Sequence, residues 1–245
     1  MRGRHAAILK LYRVITSYRR AGAGTMANII ALDSQTNFSD AVAIAAETLK
    51  KGSVIALPTD TIYGVAALAQ SSDAVQKLYN LKGRNQSKPI AICVSELSDI
   101  AKWGKVTVSD SLLGDLLPGP VTMVLERTAS LNPELNPNTD LVGIRIPKHD
   151  FIRRVCAEIG EPLALTSANI SAAKSTLCIE EFQELWPKLD AIFDGGTIGA
   201  SEASRLGSTV VDLSQSGLYQ IIRPGSAYRN TVSILEEKHG LKETR

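Results

Sequence analysis

Residues 53–64 read Ser53-Val54-Ile55-Ala56-Leu57-Pro58-Thr59-Asp60-Thr61-Ile62-Tyr63-Gly64. The opening part is a short apolar run that stops at a proline. A run too brief for a helix and closed by a breaker has the pattern of a strand buried on both faces. Just upstream, Ala41, Val42, Ala45 and Leu49 recur at helical spacing over about Ser39 to Lys51, and Gly52 supplies the stop. A helix feeding a buried strand is the building unit of an α/β domain.

The same alternation extends in both directions. Ile29–Leu32 reads as a short strand before the helix. Beyond it, Ser72 is placed to cap a helix running through Tyr79 into Lys82, and Pro89–Val94 reads as a buried strand. Helical patterns around Ser98–Trp103 and Ser109–Leu117 are broken by Pro118-Gly119-Pro120. Strands are expected at Val121–Glu126, Leu141–Ile146, Pro162–Thr166 and Ala191–Asp194. Helices are expected at Asp150–Ile159, ended by Gly160, and at Glu180–Leu185. Ser208–Leu213 and Tyr219–Arg223 read as a hairpin around Ser216-Gly217, with Thr231–His239 as a terminal helix. The fold class is α/β: an open, twisted, mixed sheet with flanking helices, forming a single domain over residues 26–245 with its core at 39–225.

Composition narrows the function classes. With 44% hydrophobic and 21% charged residues in 245, the chain can bury one sizeable core. No apolar run is long enough for a membrane span. Cys93, Cys156 and Cys178 form no CxxC pair and, with His5, His149 and His239, no zinc spacing, which points to a reducing compartment. The net charge of +2 conceals an asymmetry: six basic residues and no acid fall within the first 25, leaving 21 basic against 25 acidic, or −4, in the body. A broad nucleic-acid footprint is therefore absent from the body.

The segment Met1–Thr25 is Arg-rich and acid-free, with Ile8, Tyr12 and Ile15 at helical spacing and Leu11 and Tyr18 beside them. It reads as a mitochondrial transit peptide, with a disordered basic tail as the alternative. Met26 offers a second start, so mitochondrial and cytoplasmic placement are both expected.

Ligands of open α/β sheets gather beyond strand ends, and five stretches there carry candidate chemistry. Thr59 and Thr61 share a side if the chain stays extended; they either hold a polar ligand or satisfy a turn. Lys82, Arg84 and Lys88 cluster at a helix end, where they either grip phosphates or answer the helix dipole. Alternation puts Gly143 and Arg145 on one strand face, leaving room for a ligand or for an arginine snorkelling at a sheet edge. Thr166-Ser167-Ala168-Asn169 suits phosphate or ribose, or a helix cap. The last set is Gly207-Ser208-Thr209 with Arg223-Pro224-Gly225. Neither a P-loop nor a GxGxxG after a strand occurs.

In order along the chain, PTDTIYG, KGR…SKP, PGPVT, GIRIP, TSAN, DGG, GST and IIRPG resemble the YrdC-like family of threonylcarbamoyl-AMP synthases over about Ser53 to Gly225. The resemblance implies a YrdC-like fold around a concave basic cavity. It implies that L-threonine, bicarbonate or CO₂, and ATP give threonylcarbamoyl-AMP and pyrophosphate. The product would pass to the tRNA threonylcarbamoyl transferase complex, for modification of the adenosine 3′ of the anticodon, with a weak tRNA contact.

Carried over by motif, Thr61, Arg145, Leu165 and Ser208 would hold threonine, with Arg145 on its carboxylate. Lys82, Arg84 and Lys88 would face the phosphates, and Leu141, Ser167, Asn169, Ser175 and Arg223 the nucleotide. Lys82, Arg84 and Arg145 would carry catalysis by charge neutralisation. Mg²⁺ is expected on ATP oxygens, because the motifs hold no carboxylate cluster. One departure is Cys93, which falls where many microbial members have a histidine; another is the short C-terminal remainder after Gly225. The alternatives are an RNA-binding module, a related carbamoyl-adenylating enzyme and a regulatory nucleotide binder without catalysis.

Overall fold

The structure is a computed structural model that describes residues 16–21, 25–32, 38–83, 89–170, 173–199 and 201–244. Along the chain run β1 (Thr16–Ala21), β2 (Thr25–Ala31), α1 (Phe38–Lys50), β3 (Ile55–Leu57), β4 (Gly64–Leu68) and α2 (Ser72–Lys82). Next come β5 (Ala91–Cys93), α3 (Ile100–Trp103), β6 (Gly104–Lys105), α4 (Asp110–Leu116), β7 (Val121–Arg127) and β8 (Leu141–Arg145). Then follow α5 (Asp150–Ile159), β9 (Leu163–Ser167), a kinked 3-10 helix at Ile179–Lys188, β10 (Ala191–Asp194) and a 3-10 turn at Glu202–Leu206. The chain closes with β11 (Thr209–Asp212), β12 (Leu218–Arg223), α6 (Tyr228–Ser233) running into a π turn, and β13 (Lys242–Glu243).

The strands form one mixed sheet in the order β1-β2-β10-β3-β4-β9-β5-β8-β7-β11-β12-β13, with β6 added to β7. In the middle of the sheet both faces are buried. Ile55 and Leu57 point to one layer and Ala56 to the other; Ala66 and Leu68 oppose Val65 and Ala67. That is why the decisive stretch is apolar without alternating. On one face α1 and α5 bring Ala41, Ala45, Leu49, Phe151 and Val155 onto Ile55, Leu57 and Phe193. The Phe151 ring lies 4.9 Å from that of Phe193, and each such buried side chain contributes roughly 1.5–3 kcal/mol of transfer free energy. The other face carries α2, the 3-10 helix and both tryptophans.

Several expectations change. Strand β4, Gly-Val-Ala-Ala-Leu, was not legible, because glycine and alanine are poor strand formers in isolation. It is a strand because it pairs antiparallel with β3 on one side and β9 on the other. Ser71, not Ser72, caps α2, accepting from the Ala74 amide at 3.3 Å. The short helix expected at Glu180–Leu185 is a 3-10 helix over Ile179–Lys188, and the terminal helix ends in a π turn. Tyr18 sits in a strand that pairs with β2, so the sheet begins upstream of Met26 and the helical spacing stops before it. Leader positions 1–15, Ile8, Leu11, Tyr12 and Ile15 among them, and 22–24 lie outside the described residues.

Candidate active site

Helices α1 and α5 cover their face of the sheet over β2, β10, β3, β4 and β9, and reach as far as Cys93 at the end of β5. Beyond β9 that face continues over β5, β8, β7 and β11 and becomes the floor of a cavity of about 430 Å³. Its lining follows strand alternation: Ala91 and Cys93 from β5; Leu141, Gly143 and Arg145 from β8; Thr122 and Val124 from β7; Val210 and Asp212 from β11. Leu165 and Ser167 from β9 and Gly64 from β4 close one side, and Ile222 and Arg223 from β12 the other. Gly143 is small for a packing reason: a Cβ there would lie 3.0 Å from Thr122 Cγ2.

One end of the cavity is built around Arg145. Its Nη2 donates to Asp60 and, at 3.0 Å, to Thr61 Oγ1. The Arg145 and Asp60 side chains are 7% and 10% exposed, so this ion pair is largely desolvated. The Thr59-Asp60-Thr61 turn presents both partners: Thr59 Oγ1 accepts the amides of Thr61 at 3.1 Å and Ile62 at 3.2 Å, and donates to the Ile62 carbonyl at 2.7 Å. The turn-satisfying reading thus holds for Thr59, while Thr61 turns its hydroxyl to Arg145. Beside them, the hydroxyls of Thr122 and Ser208 lie 2.8 Å apart. Ser208 is fixed by Arg223, whose Nη2 donates to its carbonyl at 2.8 Å and its hydroxyl at 3.2 Å. Gly225 packs so closely on Ser208 that a Cβ would lie 2.3 Å from its carbonyl carbon, which is what joins the RPG and GST motifs. Cys93 also lines this end. Burial, opposed by Arg145 and reinforced by Asp60, pushes its thiol up to about 12, so it is a neutral wall group and no nucleophile at physiological pH.

The other end is built around the 166–169 turn. Lys82 was expected to face the phosphates, yet it is fully buried and does not line the cavity. Its ammonium donates to the carbonyls of Ser167, at 2.6 Å, and Asn169, and to Asn169 Oδ1 at 3.0 Å. Ser167 Oγ in turn donates to Asn169 Oδ1. The αL conformation of Gly83 ends α2 immediately after Lys82 (φ 57°), a backbone state that favours glycine. Lysine therefore acts here as the clasp of the 166–169 turn, not as an outward point charge.

A third group holds the segment after that turn. Arg205 donates from Nη1 to the Ser175 carbonyl (2.7 Å) and to Glu181 Oε2 (2.7 Å), and from Nη2 to Glu181 Oε1 (2.8 Å). Glu181 also accepts the Leu177 amide at 2.8 Å. Hydrogen bonding to Arg205 holds the Glu181 carboxyl down at about 2.

Of the residues named from the sequence, Arg145, Leu165, Ser208, Leu141, Ser167 and Arg223 line the one cavity. Thr61 and Asn169 reach it through Arg145 and Ser167, and Ser175 lies aside, its carbonyl on Arg205. Arg84 and Lys88 lie outside the described residues. Sequence reasoning missed Asp60, Thr122 and Asp212. Thr122 and Asp212 could have been found from strand alternation, each being polar on the face that turns out to be the floor. Asp60 sat in a turn where a local role was the simpler account. The arrangement offers oriented cations and hydroxyls around an apolar floor, suited to positioning an anionic reaction rather than to nucleophilic catalysis by the protein.

Comparison with known proteins agrees. The family model for Sua5/YciO/YrdC proteins, which carries the description Telomere recombination, matches residues 47–225. Threonylcarbamoyl-AMP synthase of Mus musculus is 51% identical over 209 residues, covering 84% of this chain and 75% of the mouse protein. The human protein of that name is 49% identical over 209 residues, with the same shares covered. The crystal structure of P. abyssi Sua5 complexed with L-threonine superposes with a TM-score of 0.76 at 26% identity, over 88% of this chain; this chain spans 62% of that one. With most of its length matched in both sequence and fold, the chain belongs to the Sua5/YciO/YrdC family.

Proposed function

We propose that this chain is a threonylcarbamoyl-AMP synthase, a nucleotidyltransferase that joins L-threonine, CO₂ or bicarbonate, and ATP. The observation that carries this reading is a single cavity whose floor joins an arginine-and-hydroxyl end to a Ser167–Asn169 end. The relatives that bear this name are about half identical to it over most of the chain.

Arg145 is suited to the carboxylate of threonine, with the hydroxyls of Thr61, Thr122 and Ser208 around it and Leu165 against its side chain. The threonine amine, as free base, adds to CO₂ and releases a proton, giving a carbamate. A carbamate oxygen then forms a bond to the α-phosphorus of ATP, and the bond from that phosphorus to pyrophosphate breaks. The attacking group is already an anion, so the protein's part is to hold like charges together and neutralise them. Leu141 and Arg223 would flank the nucleotide, with Ser167 and Asn169 near the phosphates beside Arg84 and Lys88. No group of three or more metal-ligating side chains occurs among the described residues. Mg²⁺ would be held mainly through the triphosphate oxygens, where it supplies charge neutralisation.

The test is an omission assay with labelled ATP. Pyrophosphate release should require both threonine and bicarbonate; release that ignores threonine, or none at all, contradicts the reading. Delivery of the product to a tRNA-modifying transferase complex, with at most a weak tRNA contact, belongs to the same proposal. So does mitochondrial and cytoplasmic placement through the basic segment 1–25 and Met26. Removal of residues 1–25, which also takes away β1, should abolish import into mitochondria.

A further inference from the structure

We propose that Asp60 is a positioning residue that cancels the charge of Arg145, so that this end of the cavity accepts a zwitterionic α-amino acid and turns away phosphate. The inference rests on the synthase reading and deepens it. An enzyme that binds a triphosphate and an amino acid in one cavity faces a sorting problem. A bare arginine in a desolvated pocket attracts phosphate at least as well as carboxylate. Here the cation is already paired, with both partners at most about a tenth exposed.

The pairing is end-on rather than a closed fork. Only Nη2 of Arg145 reaches Asp60 and Thr61, while Arg145 Nε and Asp60 Oδ2 are buried without hydrogen-bond partners. Charge is thus cancelled while donor capacity on the guanidinium remains, and the residue lines the cavity. Thr61, from the same turn as Asp60, keeps the planar group in its orientation, and Thr59 fixes that turn. The other guanidinium on the lining, Arg223, is turned onto the carbonyl and hydroxyl of Ser208, and neither His149 nor Cys93 adds a cation beside the pair. His149 is held toward its neutral form by burial, against Asp60 and Asp150, and Cys93 is a neutral thiol. An ammonium–carboxylate zwitterion carries no net charge and enters such a site without a Coulomb penalty, where its carboxylate takes the remaining guanidinium donors. A phosphate finds no net attraction at the Arg145–Asp60 pair.

Asp60→Asn separates charge from shape, because the amide keeps an acceptor for Nη2 but removes the negative charge. Labelled-pyrophosphate release is measured against threonine, and separately against ATP, at rising inorganic phosphate. In the wild type, phosphate should compete with ATP alone. In Asp60→Asn it should also compete with threonine, raising the apparent KM for threonine by about tenfold or more. Competition with threonine in the wild type overturns the proposal, and so does its absence in a variant whose melting curve shows it folded. Should the variant not fold, the wild-type arm decides alone. Wild-type protein with no threonine-dependent release refutes the synthase reading itself, an outcome distinct from a failed role for Asp60.

Discussion

At one end of the cavity Arg145 stands on a central strand, its side fixed by the pleat and its charge answered by Asp60. At the other, Lys82 stands in the last turn of a helix, its ammonium folded back onto the carbonyls of Ser167 and Asn169. Both are buried cations, and for both the family resemblance implies a ligand-facing role where the residues alone leave a structural one open. A strand leaves a side chain only two directions, and neighbours on the sheet decide which is open. A helix end leaves a long flexible side chain many, and it goes where unsatisfied acceptors are densest. The Arg145 end is therefore built by a strand side chain paired with a turn, the Ser167–Asn169 end by one lysine that organises a turn.

If that contrast holds, breaking the clasp should do more damage than breaking the pair. Lys82→Met strands buried acceptors at a cost of roughly 1–3 kcal/mol each, and should lower the melting temperature as well as the activity. With the turn released, kcat/KM for ATP should fall by about a hundredfold or more. Retained stability in this variant would mean that the lysine does not organise the turn.

Next in size, Arg145→Ala should cost about tenfold or more in kcat/KM for threonine, while the fold, read by circular dichroism, stays intact. An equal loss for ATP would merge the two ends into one. Smaller again, Thr122→Val removes the partner of Ser208 at an expected cost of about 1 kcal/mol in threonine binding, read by calorimetry.

The smallest effect concerns pH. Glu181, held at about 2 by Arg205, lies below its ordinary value, so the stability it lends is full above that ordinary value. It is lost as pH falls through about 2. Because the side chain is a third exposed, the contribution is modest. In Glu181→Gln the dependence of melting temperature on pH in that acid range should flatten.

The same physics explains what was legible. The buried strand at Ile55–Leu57, the helix Asp150–Ile159 closed by Gly160 and the strand Ala191–Asp194 could be read because periodicity and breakers agree there. Strand β4 could not, since its residues become a strand only through two neighbours distant in sequence. In the site, the face of Arg145 was legible from alternation, whereas its partner Asp60 was not, because the ion pair joins a turn to a strand 85 residues away. The position of Lys82 at a helix end was legible, but not that its ammonium turns onto the carbonyls of Ser167 and Asn169. Nothing in the local sequence reveals that Ser167 and Asn169 wait behind it.

The most direct test of the account follows the carbon. Purified protein is given threonine, ATP and ¹³C-bicarbonate, and the nucleotide products are read by mass spectrometry. A threonylcarbamoyl adenylate carrying the label, formed together with pyrophosphate, is the predicted result. Conversion of ATP without a labelled adenylate, or an unlabelled threonyl adenylate, would contradict it.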